Sequence, residues 1–130
     1  NGVPYTEFEL YLMGMTPLSS VSPFDGFQEV SSQEYNDDYS KITFNSALKT
    51  SYTQSSIEST LGKRIPSHLD SQKDFRALVL AITPSDLSDE EWTILDNAAI
   101  DYGKIGSNEN NLYNFWEATN GKGTITIGDF

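Results

Sequence analysis

The longest apolar run in the chain is Phe75-Arg76-Ala77-Leu78-Val79-Leu80-Ala81-Ile82, closed by Thr83-Pro84. In an extended chain Phe75, Ala77, Val79 and Ala81 fall on one side and Leu78, Leu80 and Ile82 on the other. A strand that is apolar on both faces belongs in the middle of a sheet, covered above and below. Cover is encoded directly downstream. Ser88-Asp89-Glu90-Glu91 forms a capping box, and Leu87 stands where it can staple onto Trp92. Trp92, Leu95, Ala99 and Tyr102 then recur at helical spacing. A strand near 75–82 beneath a helix near 89–102 is the arrangement the rest must accommodate.

A second capping box opens the chain. Thr6 precedes Glu9 by three positions, and Tyr5 and Leu10 sit at staple positions, so a short helix is expected from Glu7 to Met13 with Gly14 as a left-handed exit. Pro17, Pro23 and Gly26, with serines between them, make a loop. Phe27–Ser31 reads as a short strand and Gln33–Ser40 as a polar turn. Ile42 and Phe44 alternate with Thr43 and Asn45, giving a half-buried strand that Leu48–Tyr52 can continue. Ser55 with Glu58 is a third capping box, and Ile57 and Leu61 share a helix face before Gly62. Residues 63–71 lack a period and contain Pro66, so they read as loop. Ser107–Asn110 is a turn, a helix is expected near 111–119, Asn120-Gly121 is a hairpin-type turn, and Thr124–Ile127 alternates as an edge strand. The order is helix, strand, strand, helix, strand, helix, helix, strand, without a regular βαβ repeat. The expected class is α+β, with a small mixed or antiparallel sheet in a single domain over 1–130 or a C-terminal subdomain of a larger protein.

The chain has 130 residues, no cysteine, and 8 basic against 19 acidic residues, for a net charge of −11. Disulfides and thiolate metal sites are excluded. So acidic a chain repels nucleic acid and anionic membrane surfaces. No apolar run approaches the roughly 20 residues that span a bilayer. Residue 1 is Asn, and no charged-then-apolar leader precedes the first helix, so a mature fragment or an excised piece is expected. The abundance of Ser, Thr and Asn fits a secreted or periplasmic setting.

Candidate chemistry is sparse. His68 is the sole histidine, whereas a zinc hydrolase site takes about three protein ligands; a solvated loop position is expected for it. There is no Gly-x-Ser-x-Gly elbow for a nucleophilic serine. The C-terminal segment 118–129 fails as a calcium loop, because Ala118 would stand first and Lys122 among the ligands. Asp37-Asp38 reads as a solvated turn, and Asp89-Glu90-Glu91 complements a helix dipole. Lys63, Arg64, Lys73 and Arg76 gather half of all basic residues into fourteen positions. They are an anion-binding candidate, set against simple ion pairing within an acidic chain.

Four segments carry a resemblance. Glu9-Leu10-Tyr11-Leu12-Met13-Gly14 resembles the ELYLMG segment of a group of exported bacterial zinc metallopeptidases of metzincin type. Gly62-Lys63-Arg64-Ile65-Pro66 is similar to that group's G-x-R-x-P, and Gln72-Lys73-Asp74-Phe75-Arg76 to its QKDFR. The stretch from Asn114 to Thr124 resembles its closing FxEATGGRGT, with Lys122 in place of Arg. The likeness covers nearly the whole chain in the same order.

The resemblance implies a position after the HExxH-type helix of a longer protein. In metzincins a methionine in a tight turn forms an apolar floor under the zinc-binding imidazoles, and Met13 matches that motif position. Met15 is a second candidate for the role. Zinc is thereby implied for the parent protein and no cofactor for this chain, which supplies no metal ligand set and no catalytic residue. The expected partner is an upstream catalytic portion of the same polypeptide, with a protein or peptide as substrate. The rival reading is an extracellular binding or interaction module without peptidase activity. An independent enzyme using unidentified carboxylates is a third.

Overall fold

The computed structural model describes residues 3–37, 40–107, 109 and 112–128. Its elements are α1 (Glu7–Leu12), a 3-10 turn at Leu18–Ser20, β1 (Phe24–Tyr35), β2 (Ile42–Tyr52), α2 (Gln54–Leu61), β3 (Asp74–Ala77), α3 (Asp89–Gly103), α4 (Phe115–Ala118) and β4 (Thr124–Ile127). The fold is α+β. No described helix is long and apolar enough to cross a membrane. The chain divides into two compact units: residues 21–64, and residues 1–20 together with 65–130.

The 21–64 unit is a two-stranded antiparallel ribbon followed by α2. β1 and β2 pair from Phe24↔Tyr52 to Tyr35↔Ile42, with a register shift between Ser31 and Glu34. Glu29 and Ser32 have φ near +50°, in the left-handed region, so the strand is kinked where its alternation breaks. β2 fills the span expected from Ile42 to Tyr52, whereas β1 is much longer than the short strand expected over 27–31 and takes in Gln33, Glu34 and Tyr35 of the expected polar turn. Phe24 stacks on Tyr52 and Phe27 meets Phe44 edge-on, while Lys49 pairs with Asp25 at 2.7 Å. That ammonium and the Ser51 hydroxyl hold the Asp25 carboxyl below the usual carboxylate range. The capping box of α2 is Thr53 with Ser56, two residues earlier than the Ser55–Glu58 box anticipated. Thr53 is extended and starts the helix, so Ser55 already lies inside its first turn. The Gln54 side-chain amide donates to the Val21 carbonyl.

In the larger unit β3 and β4 pair in parallel, Asp74↔Thr124 through Ala77↔Ile127. A parallel pair needs a long crossover, and α3 and α4 provide it. α3 lies against β4: a Cβ on Gly103 would come within 3.2 Å of the Ile125 carbonyl oxygen. Its capping box is the anticipated Ser88–Glu91 pair. The strand expected over 75–82 is formed only over Asp74–Ala77. Residues 78–82 continue without a described strand beside them, and Leu78, Leu80 and Ile82 are 70%, 76% and 88% exposed. The Trp92-Leu95-Ala99-Tyr102 stripe therefore does not seal this run, and Trp92 itself is exposed. The helix expected over 111–119 is a single turn capped by Asn114. The Asn120-Gly121 turn leads from α4 into a parallel strand and so is not a hairpin turn. Asp38 and Asn110, and residues 111 and 129 at the ends of the 111–119 and 118–129 segments, lie outside the described residues.

The core of this unit is Leu10, Met15 and Phe115, with Tyr5, Met13, Phe75 and Ile125 packed against it.

Candidate functional site

The methionine turn is built by α1 and its exit. The Glu9 amide donates to Thr6 Oγ1, and the Thr6 amide donates to Glu9 Oε2 at 2.7 Å. Bonding to Thr6 holds the Glu9 carboxyl below its ordinary range. The N–H of Gly14 then donates to the Tyr11 carbonyl at 2.9 Å and that of Met15 to the Leu10 carbonyl at 2.8 Å. These two bonds, with φ of +80° at Gly14, make a Schellman exit. Such an exit places the residue after the glycine onto the last turn of the helix. Met15 accordingly packs on Leu10.

Met13 therefore caps the helix with an α-type backbone and a half-buried side chain. Met15 is the walled-in methionine, 3% exposed. Its far wall comes from the 114–124 segment. A Cβ on Gly123 would stand 2.9 Å from Met15 Cε and 3.0 Å from Phe115 Cε1. The fit admits only glycine without movement. Thr119 is fully buried and fixes the turn. Its hydroxyl accepts the Gly123 N–H at 3.2 Å and lies 2.9 Å from the Phe115 carbonyl, to which it donates. The Phe115 ring meets Phe75 and Tyr102 edge-on, at centroid distances of 5.6 and 6.3 Å. The Thr124 N–H donates to the Lys73 carbonyl, and the Thr124 hydroxyl to the Asp74 carboxylate. The Tyr5 N–H donates to the Ala118 carbonyl.

Three separated stretches, 5–15, 73–76 and 114–125, thus converge on one apolar floor. Beside it, the Tyr102 phenol is pushed above the ordinary tyrosine range by burial and by nearby Tyr5. A floor of this kind can hold a neighbouring group in position. The Thr16 hydroxyl, just beyond Met15, is buried without a hydrogen-bond partner among the described residues.

Of the anion-binding candidates, Lys63 and Arg64 belong to the 21–64 unit, and Lys73 and Arg76 to the other. Arg76 is exposed on β3, on the opposite face from Phe75 and Ala77, and Lys73 is half-buried. His68 is half-buried in the loop after the cis Ile65–Pro66 bond, where Ser67 Oγ donates to Asp70 Oδ2 at 2.6 Å. Among the described residues no three His, Asp or Glu side chains converge to hold a metal ion.

Sequence reading named Met15 as the second candidate for the floor after Met13, and missed Thr119 and Gly123. The signal for Met15 was present, since a glycine exit at position 14 commits the next residue to pack on Leu10. Comparison with family models, with curated proteins and with solved structures finds no match to this chain.

Proposed function

We propose that this chain is the non-catalytic C-terminal portion of an exported zinc metallopeptidase, forming a scaffold for an active site whose zinc ligands lie upstream. The observation that carries this reading is the meeting of three of the four resembling segments around the two methionines. Met13 caps the helix and Met15 follows it through the tight Gly14 turn. QKDFR lends Phe75 and the Lys73 carbonyl, and FWEATNGKGT lends Phe115, Thr119 and Gly123. Short motifs that look unrelated along the chain serve one packing arrangement, so their joint occurrence has a physical reason. The half-buried Met13 is the member of the floor left for a neighbouring group to rest on.

The test is the coding sequence preceding Asn1. An HExxH segment within about a hundred residues upstream is expected. Its absence, with a native start at this chain, overturns the reading.

A second reading, an extracellular binding module without peptidase activity, draws on the 21–64 unit. Val30, Tyr35, Ile42 and Leu48 of its ribbon are exposed apolar or aromatic side chains, available to a ligand whether or not a catalytic portion exists. Loss of ligand capture on removing residues 21–64 from the whole protein, with peptidase activity absent throughout, would favour it.

A further inference from the structure

We infer that Asn120 is a self-modifying site: its side-chain amide is lost by attack of the Gly121 backbone nitrogen, and the closed 114–124 turn holds that reaction back. Asn followed by Gly is open to this chemistry because glycine has no side chain to crowd the attacking nitrogen. Here the backbone demands the pair. Asn120 has φ of +53° and Gly121 φ of +70°, two successive left-handed residues, for which Asn then Gly is a preferred choice. A Cβ on Gly121 would also stand 2.9 Å from Trp116 Cζ2, so a larger residue meets the indole as well as an unsuitable φ. Asn120 itself is exposed to water. The turn that closes the methionine floor is thus built on a labile pair at the surface.

The same turn supplies the restraint. Every backbone N–H from Ala118 to Thr124 donates to an acceptor, that of Gly121 to the Trp116 carbonyl at 2.8 Å. In the reaction the Gly121 nitrogen forms a bond to Asn120 Cγ and the Cγ–Nδ2 bond breaks. Ammonia leaves with the proton that the Gly121 nitrogen gives up. The nitrogen of the resulting cyclic imide carries no hydrogen, so the ring cannot form while the bond to Trp116 stands. Opening of the turn comes first, as it does for hydrogen exchange of the same amide. Water then adds to one of the two imide carbonyls. Addition at Cγ leaves aspartate at position 120. Addition at the main-chain carbonyl leaves isoaspartate, whose main chain runs through Cγ and is one atom longer. That extra atom falls between the Thr119 hydroxyl and the Gly123 N–H that it accepts at 3.2 Å. In the isoaspartyl form the two no longer meet in the native register, and Gly123 is not seated against Met15 and Phe115 as before. A molecule that reacts while open is therefore held open. The site needs no partner and does not rest on the metallopeptidase reading.

The test follows Asn120 by peptide mapping and mass spectrometry in the full 130-residue chain and in a capped peptide of residues 117–124, aged under identical conditions. The folded chain should convert Asn120 at least about tenfold more slowly than the peptide, with hydrogen exchange of the Gly121 amide slowed at least about as much. Thr119→Val removes the hydroxyl that closes the turn and should speed conversion by roughly tenfold or more. Thr119→Ser should stay within about fivefold of the native rate. A Val variant that fails to fold converts at the peptide's rate, and the native chain with its Gly121 exchange then decides alone. The isoaspartyl chain, separated from the aged sample, should have lost exchange protection at Gly121 and Gly123. Conversion in the folded chain at the peptide's rate overturns the proposal, as does an unchanged rate in Thr119→Val. So does a peptide that does not convert, or an isoaspartyl chain whose Gly121 and Gly123 amides stay protected.

Discussion

Replacing Thr119 by Val keeps the shape of the side chain and removes one hydroxyl, which isolates what that hydroxyl does. In the native turn it accepts the buried Gly123 N–H, which has no other partner among the described residues, and donates to the Phe115 carbonyl. The hydroxyl reaches three carbonyls, those of Phe115, Trp116 and, at 3.3 Å, Gly123, and the first two keep a backbone donor. That of Phe115 still accepts the Thr119 N–H at 3.0 Å, and that of Trp116 still accepts the Gly121 N–H at 2.8 Å. The amide of Gly123 is left buried and unpaired, at a cost of about 1–3 kcal/mol. Adding a lost hydrogen bond of about 1 kcal/mol puts Thr119→Val at roughly 2–4 kcal/mol. Thr119→Ser keeps the hydroxyl and loses a methyl, for about 0.8 kcal/mol. Both tryptophans, Trp92 and Trp116, belong to the unit that contains the turn, so urea unfolding followed by tryptophan fluorescence reports on it selectively. The Val variant should unfold at clearly lower urea than the Ser variant. Equal midpoints for the two would refute the claim that the hydroxyl satisfies a buried amide.

Gly123→Ala should destabilise the same unit by about 1–3 kcal/mol through overpacking against Met15 and Phe115. In Met15→Ala, itself costing about 2–5 kcal/mol for the cavity, part of that penalty should disappear, and a double-mutant cycle measures the coupling. Gly14→Ala forces a side chain into φ of +80° and should cost about 1 kcal/mol, read in the same urea titration. Glu9 and Glu91 are both depressed by their capping boxes. Their contribution is therefore full above the ordinary glutamate value and is lost as pH falls through the lower folded value. Carboxyl-carbon NMR titration should place both below the ordinary glutamate value, and Thr6→Ala should return Glu9 alone to the ordinary range.

Capping chemistry was the most legible layer of the sequence. Thr6–Glu9 and Ser88–Glu91 are read directly, because a cap depends on residues three apart and on little else. The 53–61 helix was placed with its cap two residues late, since Thr53–Ser56 competes with an equally plausible Ser55–Glu58. The ribbon was harder: φ near +50° at Glu29 and Ser32 shifts the side chains out of alternation, so a period-two reading sees only pieces of β1. The 75–82 run shows a different limit. Its composition states that both faces need cover, but periodicity does not state whether this chain or another supplies it, and beyond Ala77 the described residues leave it open. For the floor, no local pattern joins Leu10 and Met15 to Phe115 and Gly123 across a hundred positions.

The scaffold reading is tested most directly by chelator-sensitive hydrolysis of a fluorogenic peptide substrate in the presence of zinc. The 130 residues alone should give no cleavage above buffer, and joining them to the polypeptide that precedes Asn1 should restore zinc-dependent cleavage. Zinc-dependent hydrolysis by the 130 residues alone would contradict the account, as would a joined protein that binds zinc and remains inert.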